Sequence, residues 1–150
     1  KGANLVLKTV NALAEGCISP VNQEKLVNGP VELKAAPKLF RETMQVKWDQ
    51  PVEHIRNLIR GLSPYPGAWT TIRNIPANQA TEMKIYFAEK ESALHAEKPG
   101  TIRSDGKKFL KVACSDGWIE ITDLQLAGKK RMKIEEFLRG FQDLKNFKME

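Results

Sequence analysis

Between Ala68 and Ile121 the chain is cut into short runs in which apolar and polar residues alternate, with turn residues between them. The runs are Ala68 to Arg73, Thr81 to Phe87, Gly100 to Arg103, Lys108 to Cys114 and Trp118 to Ile121. Period-two alternation puts every second side chain on one face, so Met83, Ile85 and Phe87 are expected to point together into a core, as are Leu110, Val112 and Cys114. Asp105-Gly106 and Asp116-Gly117 are turn pairs of the kind that join antiparallel neighbours. Strands this short and this closely spaced predict a mainly β fold, a small antiparallel barrel.

Helical spacing flanks the strands. Asp49 is placed to cap a helix with Pro51 in its first turn, Val52, Ile55, Leu58, Ile59 and Leu62 on one face, and Gly61 at its end. Ile134, Phe137, Leu138 and Phe141 predict a last helix, and the tail from Asp143 is expected to fray. Residues 4–15 carry Val6, Val10 and Leu13 on one face and stop at Gly16; Leu5 and Leu7 widen that surface, which calls for a body to pack against. Residues 17–48 hold no sustained period and contain Pro20, Gly29, Pro30 and Pro37, the composition of a connector. The expected division is therefore 1–16, 17–48 and 49–150, within the size of one domain plus an appendage. The chain opens on Lys1, with no charged leader or cleavage site, and is expected to be part of a longer protein.

No residue pattern spells out catalysis. Cys17 and Cys114 lack CxxC spacing and stand apart from His54 and His95, so neither zinc nor a disulfide framework is expected, and both thiols read as structural. His54 falls on the charged side of its helix and His95 in a polar loop. Glu135 and Glu136 are neighbours on a helix, about 100° apart, and cannot share one substrate atom. The turn Ser104-Asp105-Gly106-Lys107 is not a phosphate-cradling GxxxxGK. No apolar run approaches the roughly 18 residues of a membrane span. What remains is a net charge of +6, which favours polyanionic partners, and three features that a generic barrel does not require. These are the loop through Pro64, Tyr65, Pro66 and Trp69, the run Lys129, Lys130, Arg131 and Lys133, and the cations Arg103, Lys107, Lys108 and Lys111. The expectation is a binding unit, not a catalyst.

Taken in combination, several motifs resemble the C-terminal part of the methionyl-tRNA formyltransferase family, across nearly the whole chain. They are Ala36-Pro37-Lys38-Leu39, Val46-Lys47-Trp48-Asp49, the run from Ile55 to Arg60 into Leu62-Ser63-Pro64-Tyr65-Pro66-Gly67-Ala68-Trp69-Thr70, Pro99-Gly100-Thr101-Ile102, and Leu124-Gln125-Leu126-Ala127-Gly128-Lys129-Lys130-Arg131-Met132. The last segment departs from the family at Leu126, where proline is common. The resemblance implies an OB-like barrel that holds initiator tRNA through Lys129, Lys130, Arg131, Lys133, Arg103, Lys107, Lys108 and Lys111. It also implies that residues 1–16 are the last helix of an absent α/β catalytic domain. Formyl transfer from 10-formyltetrahydrofolate would take place in that domain, leaving no cofactor here, in a cytoplasmic and monomeric enzyme. Two alternatives stay open: a related formyltransferase acting on an amino-sugar nucleotide, whose barrel needs no basic face, and a stand-alone OB-like module for single-stranded nucleic acid. The latter would need aromatic rings on the barrel face, for which Trp69, Tyr86, Phe109 and Trp118 are the candidates.

Overall fold

The computed structural model describes residues 1–26, 35–141 and 143–150, which divide into two units, Lys1–Pro37 and Lys38–Glu150. In the first unit α1 (Gly2–Ala14) ends through two crossed hydrogen bonds, with Cys17 N–H donating to Ala12 O at 2.9 Å and Gly16 N–H to Leu13 O at 3.1 Å. It buries none of its residues: Leu5, Val6, Leu7, Val10 and Leu13 are all exposed. A 3-10 turn follows at Gln23–Leu26. Within the expected connector, residues 27–34, with Gly29 and Pro30, lie outside the described residues.

The second unit starts earlier than the sequence suggested. Residues 38–48 show no period, yet Val46 and Trp48 are buried in its core. Val46 N–H donates to Trp69 O (2.8 Å) and the Trp48 indole to Thr70 Oγ1 (2.9 Å), so tertiary contacts do here what local pattern could not signal. Helix α2 (Val52–Leu62) buries Val52, Ile55, Ile59 and Leu62. Asp49 does not cap it; the Val52 amide donates instead to Asp116 Oδ1 at 2.8 Å, a carboxylate sixty-four residues away in sequence. Gly61 does not end it either, because the helix runs on through Leu62 and stops where Ser63, held extended, precedes Pro64.

The strands are β1 (Ala68–Asn74), β2 (Gln79–Glu91), β3 (Ile102–Ser104), β4 (Leu110–Ala113), β5 (Trp118–Leu126), β6 (Met132–Lys133) and β7 (Phe147–Met149), with α3 (Ile134–Gly140) between the last two. All strand pairs are antiparallel, in the order β3-β4-β5-β2-β1-β7, and β6 pairs with β5. β2 lines one edge of β5 along its length, so β4 and β6 share the other edge. The two ends of the sheet then meet: Lys148 bridges Thr101, just before β3, and Met149 N–H donates to Gly100 O at 2.9 Å. Gly100 is required there, since its φ is +86° and a Cβ would collide with the Met149 carbonyl. The sheet is thus a nearly closed barrel, as the alternation predicted. Its wall and α2 enclose a core that includes Ile72, Met83, Ile85, Leu110, Ile119 and Leu124, with Ile134, Phe137 and Leu138 added by α3.

Two expectations fail for physical reasons. The tail does not fray: Leu144 and Met149 are buried, β7 pairs with β1, and Glu150 exchanges both backbone hydrogen bonds with Thr71. And Phe87 does not join Met83 and Ile85. Ile85 pairs with Leu124 but Phe87 with Asp123, so Tyr86 and Phe87 together stand where one residue belongs, and Thr122 is skipped to restore register at Ala88 and Ile121. The bulge leaves Phe87 52% exposed.

Because Met149 closes the barrel at 1% exposure, Met149→Ala should lower the free energy of unfolding by about 2–5 kcal/mol, read from urea denaturation. A change near zero would mean that β7 adds nothing to the closure.

Candidate nucleic-acid interface

The run Lys129-Lys130-Arg131 lies in the turn between β5 and β6. Gly128, at φ +74°, makes the reversal, and Lys129 N–H closes it on Leu126 O at 3.0 Å. Three contacts fasten the turn to the barrel wall. Ala127 N–H donates to Glu82 O (2.9 Å), the Gln125 side-chain amide donates to Lys129 O (2.8 Å), and the Tyr86 hydroxyl donates to Gln125 Oε1 (2.7 Å).

The fourth fastening is ionic. Asp123 is 4% exposed in β5, and a carboxylate so placed must be compensated. Arg131 meets it with two parallel hydrogen bonds, Nε to Oδ1 at 2.7 Å and Nη2 to Oδ2 at 2.9 Å, while Lys133 Nζ lies 3.1 Å from Oδ2. The Arg131 guanidinium also sits 4.4 Å from the Tyr86 ring centroid and 5.5 Å from that of Phe87. Hydrogen bonding from Arg131 holds the Asp123 carboxyl below its ordinary value, and Asp123 raises Arg131 in return. Arg131 is therefore a strut. Lys129 carries no ion pair among the described residues, and Lys130, 81% exposed, is only 3.6 Å from Glu136.

The second expected group divides in the same way. Lys107 and Lys108 are exposed on the β3–β4 turn, which is organised by Asp105: its Oδ1 accepts the amides of Lys107, Lys108 and Phe109, and these bonds depress its pKa. Neither lysine has an ion pair among the described residues. Lys111 is different. It is half-buried between Glu91 and Glu120, and its hydrogen bond to Glu91 is the main cause that raises its pKa. Arg103 lies over the Trp118 ring at 4.6 Å and lines a cleft of about 610 Å³ whose rim also carries Arg139 and Lys145. Those last two cations were not singled out from the sequence, where they are isolated charges. On the β5 edge Lys111 faces Glu120 and Lys133 faces Asp123, three residues along, which brings the two groups to neighbouring stretches of one strand.

The aromatic candidates behave unevenly. Trp118 and Tyr86 are buried, and the Trp69 indole donates to Arg41 O at 2.8 Å beneath the Arg41 guanidinium. Tyr65, in the proline-aromatic loop, is 87% exposed. Catalytic candidates stay unassembled among the described residues. His54, Glu135 and Glu136 are exposed, and among the described residues no group of three or more His, Cys, Asp or Glu is placed to hold a metal. His95 packs against Trp118 and its Nε2 pairs with Gly117 O at 2.8 Å. Burial pushes the Cys114 thiol up to about 12, which leaves it unreactive, while Cys17 is exposed. No described helix is long and apolar enough to cross a membrane.

Residues 38–142 match the family described as formyl transferase, C-terminal domain. The chain is similar to the methionyl-tRNA formyltransferase of Bacteroides fragilis, 46% identical over 99% of this chain and 45% of that protein. It is likewise similar to that of Phocaeicola vulgatus, 46% identical over 99% of this chain and 46% of the relative. That of Flavobacterium johnsoniae is 37% identical over 93% and 42%. The chain thus spans less than half the length of these relatives. Among solved structures, a HypX variant from Aquifex aeolicus shares the fold with a TM-score of 0.57, at 21% identity, over 92% of this chain and 23% of that one. The family match starts where the barrel unit starts, at residue 38, and runs through α3: this chain belongs to the formyl transferase C-terminal domain family.

Proposed function

We propose that this chain is the tRNA-holding part of a methionyl-tRNA formyltransferase, with initiator tRNA as its ligand and an OB-like barrel as its platform. The observation that carries this reading is that relatives named methionyl-tRNA formyltransferase align over 99% of the chain. The basic turns support it. Lys129, Lys130, Lys107 and Lys108 project from fastened turns with little or no internal neutralisation, and such cations give affinity and register on a phosphate backbone without reading sequence. Lys133 adds to them from the edge of β6, and Arg103 from the cleft. Arg131 and Lys111 serve mainly to hold the surface in shape. Formyl transfer from 10-formyltetrahydrofolate then belongs to the remaining length of the enzyme, which would act as a cytoplasmic monomer with α1 facing its catalytic portion. A formylation assay on this 150-residue chain with charged initiator tRNA and the folate donor should show no turnover above background; turnover would move the chemistry into the barrel.

Binding should weaken steeply with salt. Each phosphate neutralised on a duplex adds about −0.9 to the slope of log affinity against log salt. Lys129→Ala with Lys130→Ala should flatten that slope by about one to two units in fluorescence anisotropy, and Lys111→Ala by much less. An equal effect of Lys111→Ala would overturn the division between holding and structural cations.

Asp123 supplies a pH test. Its folded pKa is depressed, so its contribution to stability is complete above the ordinary carboxylate value of 3.8 and is lost as pH falls through the lower folded value. Asp123→Asn should cost about 1–3 kcal/mol at pH 7, by urea denaturation, and the gap to wild type should close on acidification. A gap that persisted in acid would show that the ion pairs do not cause it.

A further inference from the structure

We propose that Phe87 is a stacking platform for an unpaired base of the RNA ligand, an inference that rests on the tRNA-holding reading and adds a non-electrostatic contact to it. A half-exposed phenylalanine in the middle of the longest strand of a barrel calls for a cause, since the unbroken alternation would bury it with Met83 and Ile85. The cause is the bulge at Tyr86 and Phe87, a device that re-aims a side chain at a fixed position on a rigid wall. The residues around Phe87 suit a nucleotide. Asp123 is its partner on β5 and Lys133 is the next partner on β6, so the three lie in one row across the sheet. The Arg131 guanidinium lies over the ring at 5.5 Å from its centroid and Lys133 Nζ at 6.0 Å, and the ring is still half-exposed, so a base would share it with these cations. An apolar protein surface would have to desolvate these cations, whereas a nucleotide places its base on the ring and its phosphate near Lys133.

Every base has a π face, so the platform would be tolerant of sequence, but it needs a base that is not stacked within a duplex. Its ligand is therefore a loop, an end or a single strand, in contrast to the phosphate contacts of Lys129 and Lys130, which a duplex satisfies equally well.

The test measures binding of the 150-residue chain to initiator tRNA, to a single-stranded RNA oligonucleotide and to a fully paired RNA duplex, at several salt concentrations. Phe87→Ala should weaken tRNA and single-strand binding by roughly ten-fold with the salt slope unchanged, and leave the duplex unaffected. Phe87→Trp should restore the loss. Thermal unfolding monitors the fold of both variants. Unchanged affinity of Phe87→Ala for both tRNA and single strand overturns the proposal. A loss shared by the duplex, or a flattened salt slope, also overturns it, because Phe87 would then act only by holding Arg131 and Lys133. If wild type failed to bind tRNA but its single-strand binding depended on Phe87, the platform would stand and the tRNA reading would fall.

Discussion

A carboxylate cannot stay charged in the wall of a small barrel without partners, and Asp123 organises the basic surface by acquiring two. Arg131 is drawn down onto it, which fixes the β5–β6 turn, and the Tyr86–Gln125–Lys129 hydrogen bonds hold the same turn beside it. Lys129 and Lys130 are then left at the crest of a turn that has little freedom to lose on binding. The same carboxylate lies opposite the bulge in β2, so the departure from regular pairing and the buried charge occupy one place. A hydrophobic residue at 123 would pack as well in the wall but would leave Arg131 without its anchor.

The same division between cations that hold the surface and cations that face outward runs through the rest of the barrel. Lys111 lies between Glu91 and Glu120, and Arg73 pairs with Glu150, Arg41 with Glu82 and Lys90 with Glu53; all but the Lys111–Glu120 contact join segments distant in sequence. Exposed pairs of this kind contribute little stability singly. Their consequence is electrostatic: they neutralise cations along the wall, while Lys107, Lys108 and Lys129 stand at exposed turns without an ion pair among the described residues. Positive charge concentrated at protruding turns attracts a polyanion over distances up to roughly a Debye length, about 8–10 Å at ordinary salt.

Closure of the barrel depends on the end of the chain. β7 fills the gap between β1 and the start of β3, with the Thr70 hydroxyl hydrogen-bonded to the Glu150 carbonyl and the Trp48 indole to Thr70. Residues 38–48, the first strand and the last residues therefore form one hydrogen-bonded seam, and the unit completes its wall only when both of its ends are in place.

The sequence by itself determined the strand-rich barrel, α2 and α3, and the basic turns, because each rests on a signal confined to a few consecutive residues: alternation, helical spacing, a turn pair, a charge run. Only the tertiary structure decided the points that depend on partners far away along the chain. Asp116, not Asp49, caps α2, because a free helix amide donates to whichever carboxylate the fold delivers to it. The tail from Asp143 has too few apolar residues to announce a strand, and becomes one because β1 and Gly100 offer it unpaired backbone groups. Arg131 and Lys111 look like free cations in a list of charges and are not, since their carboxylates lie on other strands. Alternation places Phe87 inward only while register holds, and one bulge in β2 turns its ring from the core to the basic face.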